Sequence, residues 1–458
     1  MAGIGFRLRK LAKEDNLMGT VKAYFYSALI STGPWLFTIL TIGSIVSLSS
    51  RHLDFKTLEK FRIIIIYNFC FSFIFSGPIF MLSTRYLSDA LHRKDVSEIP
   101  GMLIGALSVL FSLQFPIAFM YSFFVCEMHP LLSLSVTVNF LLISGIWLSS
   151  IFLSAIQDYK TILLLFLLGT VISVSSSYPL GKNYQEIGLI NGFSIGLAFI
   201  MYSLTAKIFA AYPYPVKKPF QFLSYSKTYW DLILGGFLGN IAIWIDKWVM
   251  WFAPESETPI KGLVSFPNYD SAMFLAYLII IPVIAFFVFN VETSFYEKYL
   301  LYFESVLNNA PLSEIEELRL ELSKTTLRNM RVIRLLAASL CCVAILLSPK
   351  IFEFLQINFL QIGIFRLGIL GAFFQIFFVF NTIFLYYFEC RKENLLLFLF
   401  YILLNGALSY WSLLKGYSYY GYGYFLSSAI VFVLSSFFLF NHLKYLSYNS
   451  FISNNSSI

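Results

Sequence analysis

The stretch Thr161-Ile-Leu-Leu-Leu-Phe-Leu-Leu-Gly-Thr-Val-Ile-Ser-Val174 contains no charged residue and no polar-apolar alternation. Similar apolar runs recur along the 458-residue chain, and many approach the roughly 20 residues that an α-helix needs to cross a bilayer. Within lipid only helices and closed barrels satisfy every backbone donor and acceptor, and barrel strands would alternate over about ten residues. The runs therefore predict an all-α, polytopic membrane protein.

The composition supports a membrane protein. Charged residues make up 12% of the chain and apolar residues 58%, whereas soluble globular domains carry roughly 25% charged residues. A mean hydropathy of +0.74 excludes intrinsic disorder, which requires low hydrophobicity. We therefore interpret the net charge of +7 as a report on membrane topology.

The apolar runs number about twelve when a window of about 19 residues is moved along the chain. They lie near 22–48, 61–87, 100–124, 131–154, 160–177, 186–209, 229–253, 270–290, 333–354, 361–388, 393–414 and 420–445. A polar connector separates the first six from the last six. We expect an N-terminal six-helix bundle with a cytosolic N-terminal segment in 1–211, a cytosolic connector at 212–228, and a C-terminal six-helix bundle in 229–458. Transporters often hold their substrate between two such halves.

The distribution of lysine and arginine predicts the orientation. With a cytoplasmic N-terminus, 22 of the 32 fall at the inner side and 8 at the outer side, as the positive-inside rule requires. We expect a multi-pass protein of the cytoplasmic (inner) membrane with both termini cytoplasmic and no removable signal peptide. The cytosolic segment 291–332 should contain a helix that begins at a capping box, Ser313-Glu-Ile-Glu316. That helix either lies on the membrane or a partner, or extends the ninth span into solvent.

Two charges lie within the seventh predicted span, in Trp244-Ile-Asp246-Lys247-Trp248. A charge at the bilayer centre costs about 2.5–3.5 kcal/mol on insertion scales. Lys247 is near enough to the outer end to extend its amine to the interface, and helix neighbours point about 100° apart, so we expect no mutual neutralisation. Asp246 then contacts substrate or a coupling cation in a hydrated cavity, or pairs with another helix, for example through Arg366.

Prolines interrupt four predicted spans and define candidate helix breaks. These candidates are Gly33, Pro34, Gly77, Pro78, Pro116 and Pro282. Each proline removes one backbone hydrogen bond and can kink its helix. A gating role in a transport path is one interpretation, and ordinary transmembrane prolines are the other.

Uncharged amides in the spans could bond sugar hydroxyls, although bonding between helices is their more common use. They are Asn68, Gln114, Asn139, Asn191, Asn240, Gln375, Asn381 and Asn405. Trp35 and Trp244 could stack on sugar rings, whereas Trp248 and Trp251 lie close enough to an interface to act as aromatic-belt anchors. The candidate substrate path consists of Trp35, Asn68, Asn240, Trp244, Asp246 and Lys247.

Signatures of enzymatic chemistry are missing from the sequence. It has no phosphate-binding glycine loop, no His-Glu-x-x-His zinc helix and no nucleophile elbow. The five cysteines are not regularly spaced, so neither a disulfide framework nor a zinc site is predicted. We therefore expect no enzyme activity, no metal, no cofactor and no nucleic-acid partner. Energy would come from an ion gradient, the substrate's own gradient, or a partner that pushes polymer through.

Several stretches resemble the PelG family, the polytopic inner-membrane components of Pel exopolysaccharide systems within the multidrug/oligosaccharidyl-lipid/polysaccharide (MOP) flippase superfamily. The stretches are Met1-Ala-Gly-Ile-Gly-Phe-Arg-Leu-Arg-Lys10, Ser31-Thr-Gly-Pro-Trp35, Ser76-Gly-Pro78, Thr84-Arg-Tyr-Leu-Ser-Asp89, Ile243-Trp-Ile-Asp-Lys-Trp248, Phe286-Phe287 and Val291-Glu-Thr-Ser-Phe-Tyr-Glu-Lys-Tyr299. The resemblance extends from end to end but brings no catalytic motif and no established site residue.

The resemblance implies a twelve-helix, two-bundle fold that moves a polymer of N-acetylated hexosamines from cytoplasm to periplasm for a biofilm matrix. It also implies partners: a cytosolic glycosyltransferase and other membrane subunits, one of which senses cyclic di-GMP. The regions 84–89 and 291–332 are then candidate docking surfaces, or helix anchors. Two alternatives stay open: an ion-coupled antiporter for lipid-linked precursors or amphiphilic drugs, and a non-transporting scaffold for the glycosyltransferase.

Overall fold

The computed structural model describes residue 33 and residues 36–156 and 158–453, and these are almost entirely helical. The described chain forms two compact units, Gly33–Pro267 and 268–453. Ten described helices are long and apolar enough to span a membrane, as predicted for an all-α membrane protein. Many of their apolar side chains stay exposed, as expected of surfaces that face lipid.

The first unit contains six helices and one hairpin of strands. Its elements are α1 (Leu36–Ser49), α2 (Phe55–His92), α3 (Ile99–Met120, continued by a π-helical turn at Tyr121–Val125), α4 (Pro130–Ile156), α5 (Tyr159–Ala211), α6 (Trp230–Met250), β1 (Glu257–Ile260) and β2 (Leu263–Ser265). The strands β1 and β2 pair antiparallel.

Helix α5 accounts for two predicted spans because it folds back at Tyr184 and Gln185, whose backbone angles are not helical. Small residues let its arms, 159–183 and 186–211, pack closely: a Cβ on Gly192 would lie 2.3 Å from Cα of Ser177. The Ser176 hydroxyl donates to the carbonyl of Gly192 at 2.8 Å. Each of the twelve predicted runs therefore contains a described helix: the two arms, the nine other long helices, and α1. The first part of the α1 run lies outside the described residues.

The connector after α5 packs on α3. A Cβ on Gly101 would lie 1.9 Å from the carbonyl oxygen of Lys217, and one on Gly105 would lie 1.7 Å from that of Pro219. Phe222 in the 3-10 turn Gln221–Ser226 is fully buried. Two glycines four residues apart therefore form the groove in which the connector lies.

The second unit contains the remaining helices. They are α7 (Pro267–Asn290, followed by a π-helical turn at Val291–Phe295), α8 (Tyr296–Leu307), α9 (Leu312–Phe354), α10 (Ile362–Tyr387), α11 (Arg391–Lys415) and α12 (Tyr422–Lys444), with short turns at Phe359–Gln361, Tyr417–Tyr419, Leu446–Tyr448 and Asn449–Ser453. Buried amides join them: Gln375 accepts hydrogen bonds from Tyr277 and Tyr424.

Helix α9 has 43 residues and would be about 65 Å long, twice the roughly 30 Å of a bilayer core. Its first half, residues 312–332, packs against α8 through the ion pair Lys298–Glu321 at 2.6 Å. We call this pair of segments the protruding hairpin. The helix predicted for 291–332 is thus present and continuous with the ninth span. The predicted capping box is wrong, because Pro311 is the N-cap residue and Ser313 already lies inside the helix.

The boundary between the compact units lies at Pro267, one helix later than the connector at 212–228. The physical reason is that α6 packs tightly on α2: a Cβ on Gly77 would lie 2.6 Å from the carbonyl oxygen of Gly236. A division of the spans into two functional halves of six stays a prediction.

Candidate functional site

A cavity of about 270 Å³ lies inside the first unit, between α2, α3, α4 and the strand hairpin. The residues that line it include Tyr67, Asn68, Phe71, Phe75, Gln114 and Leu263, and none of the described lining residues is charged. Burial raises the pKa of the Cys126 thiol, which also lines the cavity, to about 11, so this group stays neutral at pH 7. The cavity is therefore neutral, largely apolar and supplied with a few polar groups, as ligand pockets commonly are.

Amides connect this cavity to the helices around it. The Asn68 amide donates to Oδ1 of Asn139 at 2.9 Å and to the carbonyl of Val136 at 3.2 Å. Asn139 in turn donates to Ser194 of α5 at 2.9 Å. The prediction that the amides mainly join helices is confirmed for Asn68 and Asn139, and also for Asn240, Gln375 and Asn381.

Three aromatic rings of α2 line the cavity, and two tryptophans stack on them from outside its lining. We call these five rings the aromatic ladder. Tyr67, Phe71 and Phe75 recur every fourth residue and so share one face of α2. Phe71 stacks on Trp248 with ring centres 5.6 Å apart, and Tyr67 stacks on Trp251 at 5.0 Å. The prediction that Trp251 anchors in an aromatic belt is wrong, because this ring is 8% exposed and packs against α2. The same prediction for Trp248, which is half-buried, stays a prediction.

The hairpin of β1 and β2, residues 257–265, covers one end of the cavity, and we call it the hairpin lid. Leu263 lines the cavity and is 3% exposed. The Tyr67 hydroxyl donates to the carbonyl of Val264 at 2.8 Å and accepts from its amide at 2.9 Å. Tyr121 donates to the carbonyl of Gly262 at 2.8 Å. Tyr67 therefore belongs to the ladder through its ring and holds the lid through its hydroxyl.

Replacing Tyr67 by phenylalanine should loosen the hairpin lid while preserving the stack on Trp251. Two hydrogen bonds to Val264 are lost, and at about 1 kcal/mol each their loss should speed hydrogen exchange of residues 257–265 by roughly tenfold or more. Hydrogen exchange followed by mass spectrometry measures this. Tyr202→Phe is the control because that side chain is 65% exposed. Equal exchange rates in the two variants would contradict the role given to Tyr67.

Asp246 and Lys247 form a buried ion pair and do not line the cavity. The carboxylate is fully buried, and Nζ of Lys247 lies 3.1 Å from both of its oxygens. The expectation that helix neighbours cannot neutralise each other is wrong, because the long lysine stem folds back and also donates to the carbonyl of Ile243 at 3.1 Å. Lys247 is 7% exposed and so does not extend to the interface. Arg366 donates to Ser348 in the second unit.

The other predicted path residues lie at different places. Trp35 and Pro34 fall outside the described residues, and Gly33 is buried. Trp244 is half-buried, with its ring centre 5.9 Å from Nζ of Lys247. Asn240 donates to the carbonyl of Phe73 on α2 at 2.7 Å.

The prolines leave their helices continuous. Helices α2, α3 and α7 run on through Pro78, Pro116 and Pro282 respectively, so the expected breaks are not seen there. Gly77 has no space for a side chain, and its missing Cβ permits the close contact of α2 with α6. A gating role for these positions stays a prediction.

Of the predicted path residues that the structure describes, only Asn68 lines the cavity. Sequence reasoning missed Tyr67, Phe71 and Phe75, although their four-residue spacing was a usable signal. Gln114 stood among the amides without being assigned to the path. The hairpin lid could not be predicted in this way, because its sequence has no comparable pattern and reads as a short polar loop.

At the other end of α2, a cluster of charged and aromatic groups joins the helix to the connector. Glu98 accepts hydrogen bonds from Tyr86 and, at 3.2 Å, from Lys218. The Arg85 guanidinium lies 4.9 Å from the ring centre of Tyr229. Partial burial, followed by the nearby Asp89 carboxylate, raises the pKa of Tyr225. The region 84–89 is therefore packed in part against the protein's own connector.

Solved structures with this fold are transporters. A MOP-superfamily transporter from Pyrococcus furiosus matches with a TM-score of 0.66 and 10% identity over 93% of this chain and 96% of that chain. A multidrug resistance MATE family transporter in an outward-facing conformation gives 0.64 and 11% identity over 93% and 96%. A multidrug resistance MATE family transporter in an inward-facing conformation gives 0.60 and 10% identity over 88% and 95%. The fold is that of MOP-superfamily membrane transporters.

The family assignment comes from the sequence. Residues 1–451 match the family described as "PelG: Putative exopolysaccharide Exporter (EPS-E)". The chain belongs to this family, which confirms the resemblance noted above. Among curated proteins none matches the chain.

Proposed function

We propose that this membrane transporter moves a neutral, N-acetylhexosamine-rich exopolysaccharide from cytoplasm to periplasm across the inner membrane. The observation that carries the proposal is the neutral cavity bordered by the aromatic ladder. Sugar rings present an apolar face that packs on aromatic rings, while their hydroxyls and acetamido groups form hydrogen bonds. A charged polymer would instead require countercharges, and the lining residues supply none.

The proposal includes a complex with a cytosolic glycosyltransferase and further membrane subunits, one of them a cyclic di-GMP sensor. The protruding hairpin supports this part, since α9, whose first half belongs to it, is about twice as long as a bilayer core. It is braced by the C-terminal segment: Arg319 donates to the carbonyls of Leu443 and Lys444 at 3.2 and 3.1 Å. A rigid projection of this kind suits a docking surface, and its side of the membrane would be cytoplasmic under the predicted topology.

Replacing Trp248 by alanine tests the proposal. Loss of the ring that stacks on Phe71 should lower secreted polysaccharide at least tenfold in cells that carry the complete export system, while the protein stays in the membrane at normal abundance. Secreted and intracellular polymer are both measured. Trp230→Ala is the matched control, because that tryptophan is 51% exposed.

The two polymer pools separate the candidate functions. Polymer or precursor that accumulates inside the cell while secretion falls supports transport. Loss of synthesis together with secretion would instead favour a scaffold for the glycosyltransferase. Secretion equal to that of the Trp230 variant would remove the ladder from the path.

An ion-coupled antiporter is the second candidate, favoured by the likeness to multidrug resistance MATE transporters. Asp246 would be its cation-binding group. The amine of Lys247, 3.1 Å away, already neutralises that carboxylate, which argues against a free cation site.

A further inference from the structure

Gln114 carries a buried hydrogen-bond acceptor that is unused among the described residues. The side chain lies on α3, is 3% exposed and lines the cavity. Its Nε2 donates to the hydroxyl of Ser76 at 3.3 Å, whereas its Oε1 has no hydrogen-bond partner. A buried carbonyl oxygen without a donor is costly, and such groups are rare in native interiors.

The principal donors of the lining are already engaged. The Tyr67 and Tyr121 hydroxyls donate to the hairpin lid, and the Ser122 hydroxyl donates to the carbonyl of Phe119. The Asn68 amide donates to Asn139 and Val136. Among the described lining residues only the Cys126 thiol, a weak donor, has no acceptor. No described lining residue therefore offers a strong donor to Gln114, and a bound ligand can supply one.

The space fits a small ligand. A volume of about 270 Å³ equals roughly nine water molecules at about 30 Å³ each, and lies near the lower end of ligand pockets. The lining carries no carboxylate to balance a cation and no basic group to bind an anion. Apolar side chains such as Ile117 and Phe140 complete the walls.

We infer that Gln114 is a specificity-determining residue that accepts a hydrogen bond from a neutral sugar residue bound in this cavity. The ligand's donor is a hydroxyl or an acetamido N–H, and the ligand lies beside Phe71 and Phe75 beneath the hairpin lid. This inference rests on the proposed function for the sugar class of the ligand. It adds the residue that recognises the sugar and the cavity that holds it.

The test compares two buried glutamines in the full-length protein in nanodiscs. Gln114→Leu removes an acceptor that has no described partner and breaks one long hydrogen bond to Ser76, at 3.3 Å, so its melting temperature without sugar should stay close to that of the wild type. Gln375→Leu is the control: Gln375 is 5% exposed, and its Oε1 accepts from Tyr277 at 3.0 Å and Tyr424 at 2.6 Å. That variant should melt at a lower temperature, because two tyrosine hydroxyls lose their acceptor.

Calorimetric titration with chitotriose and cellotriose measures binding. The affinity for the better-bound sugar should fall at least tenfold in Gln114→Leu and stay unchanged in Gln375→Leu. Chitotriose bound much more tightly than cellotriose identifies the acetamido N–H as the donor, and equal binding identifies a hydroxyl. A Gln114→Leu protein that melts early and keeps its affinity would overturn the inference, as would a wild type that binds neither sugar.

Failure of the inference about Gln114 can be distinguished from failure of the proposed transport function. Loss of secretion in Trp248→Ala combined with unchanged affinity in Gln114→Leu would leave polysaccharide transport standing and overturn only the role of Gln114. Normal secretion in Trp248→Ala combined with lost affinity in Gln114→Leu would support the sugar site and remove the ladder from the transport path.

Discussion

Asp246→Asn is expected to lower the free energy of unfolding by about 3–5 kcal/mol, the usual cost of removing one partner from a buried ion pair. The carboxylate is fully buried, and the Lys247 amine lies 3.1 Å from both of its oxygens. The substitution takes this anion away and leaves a buried ammonium. Denaturant-induced unfolding in detergent, with membrane abundance as a second readout, measures the loss.

A second variant distinguishes pair breaking from loss of shape. Asp246→Leu combined with Lys247→Met removes both charges, so it should recover most of the stability that the single variant loses. Glu127→Gln is the control for an exposed pair, since the Lys261 and Glu127 side chains are 66% and 62% exposed and their pairing should contribute little. An Asp246→Asn protein as stable as the Glu127 variant would contradict this account of the pair.

The double variant also separates the two transport hypotheses, because it folds without the carboxylate. Unchanged polysaccharide export would assign Asp246 a structural role. Loss of dependence on a cation gradient would favour the ion-coupled antiporter.

Gly77→Ala should push α2 away from α6 and cost about 1–3 kcal/mol of stability, as overpacking in well-packed interiors does. The new Cβ would lie 2.6 Å from the carbonyl oxygen of Gly236, which cannot move without its helix, and 2.7 Å from Nδ2 of Asn240. The bond from Asn240 to the carbonyl of Phe73 should weaken. Because the stack of Phe71 on Trp248 joins the same two helices, export should fall as well.

Gly43→Ala is the matched control for this substitution. It lies in helix α1, and a Cβ there would meet nothing within 4 Å. Alanine favours a helix over glycine by up to about 1 kcal/mol, so this variant should be as stable as the wild type or more stable. Equal effects of the two alanines on unfolding and export would show that the contact of α2 with α6 is not tight.

The membrane helices were readable from the sequence because their signal is local. Runs such as 161–174 are apolar throughout, and the bilayer sets a length that each run must reach. The fifth and sixth spans were also predicted as separate runs, 160–177 and 186–209, and the structure turns between them at Tyr184 and Gln185. Charge and periodicity predicted the helix at 312–332. They did not predict its first residue, because the N-cap residue is Pro311.

The residues of the candidate site were harder to predict from the sequence because they come from distant positions in the chain. Asn68 was assigned to the substrate path as a polar residue in a span. Gln114 was not, and only the position of α3 shows that its side chain also lines the cavity. Trp248 and Trp251 have the local pattern of belt anchors, yet their rings stack on Phe71 and Tyr67. A sequence pattern shows that a ring is near a helix end and does not show which helix lies beside it.

The sequence by itself determined that the chain is helical, crosses a membrane many times and carries few charges, because hydropathy and backbone hydrogen bonding act within each segment. Only the tertiary structure decided that Lys247 neutralises Asp246, that Tyr67 holds the hairpin lid and that Oε1 of Gln114 has no donor among the described residues. Those outcomes depend on side-chain conformation and on contacts between residues up to 197 positions apart, which no local periodicity encodes.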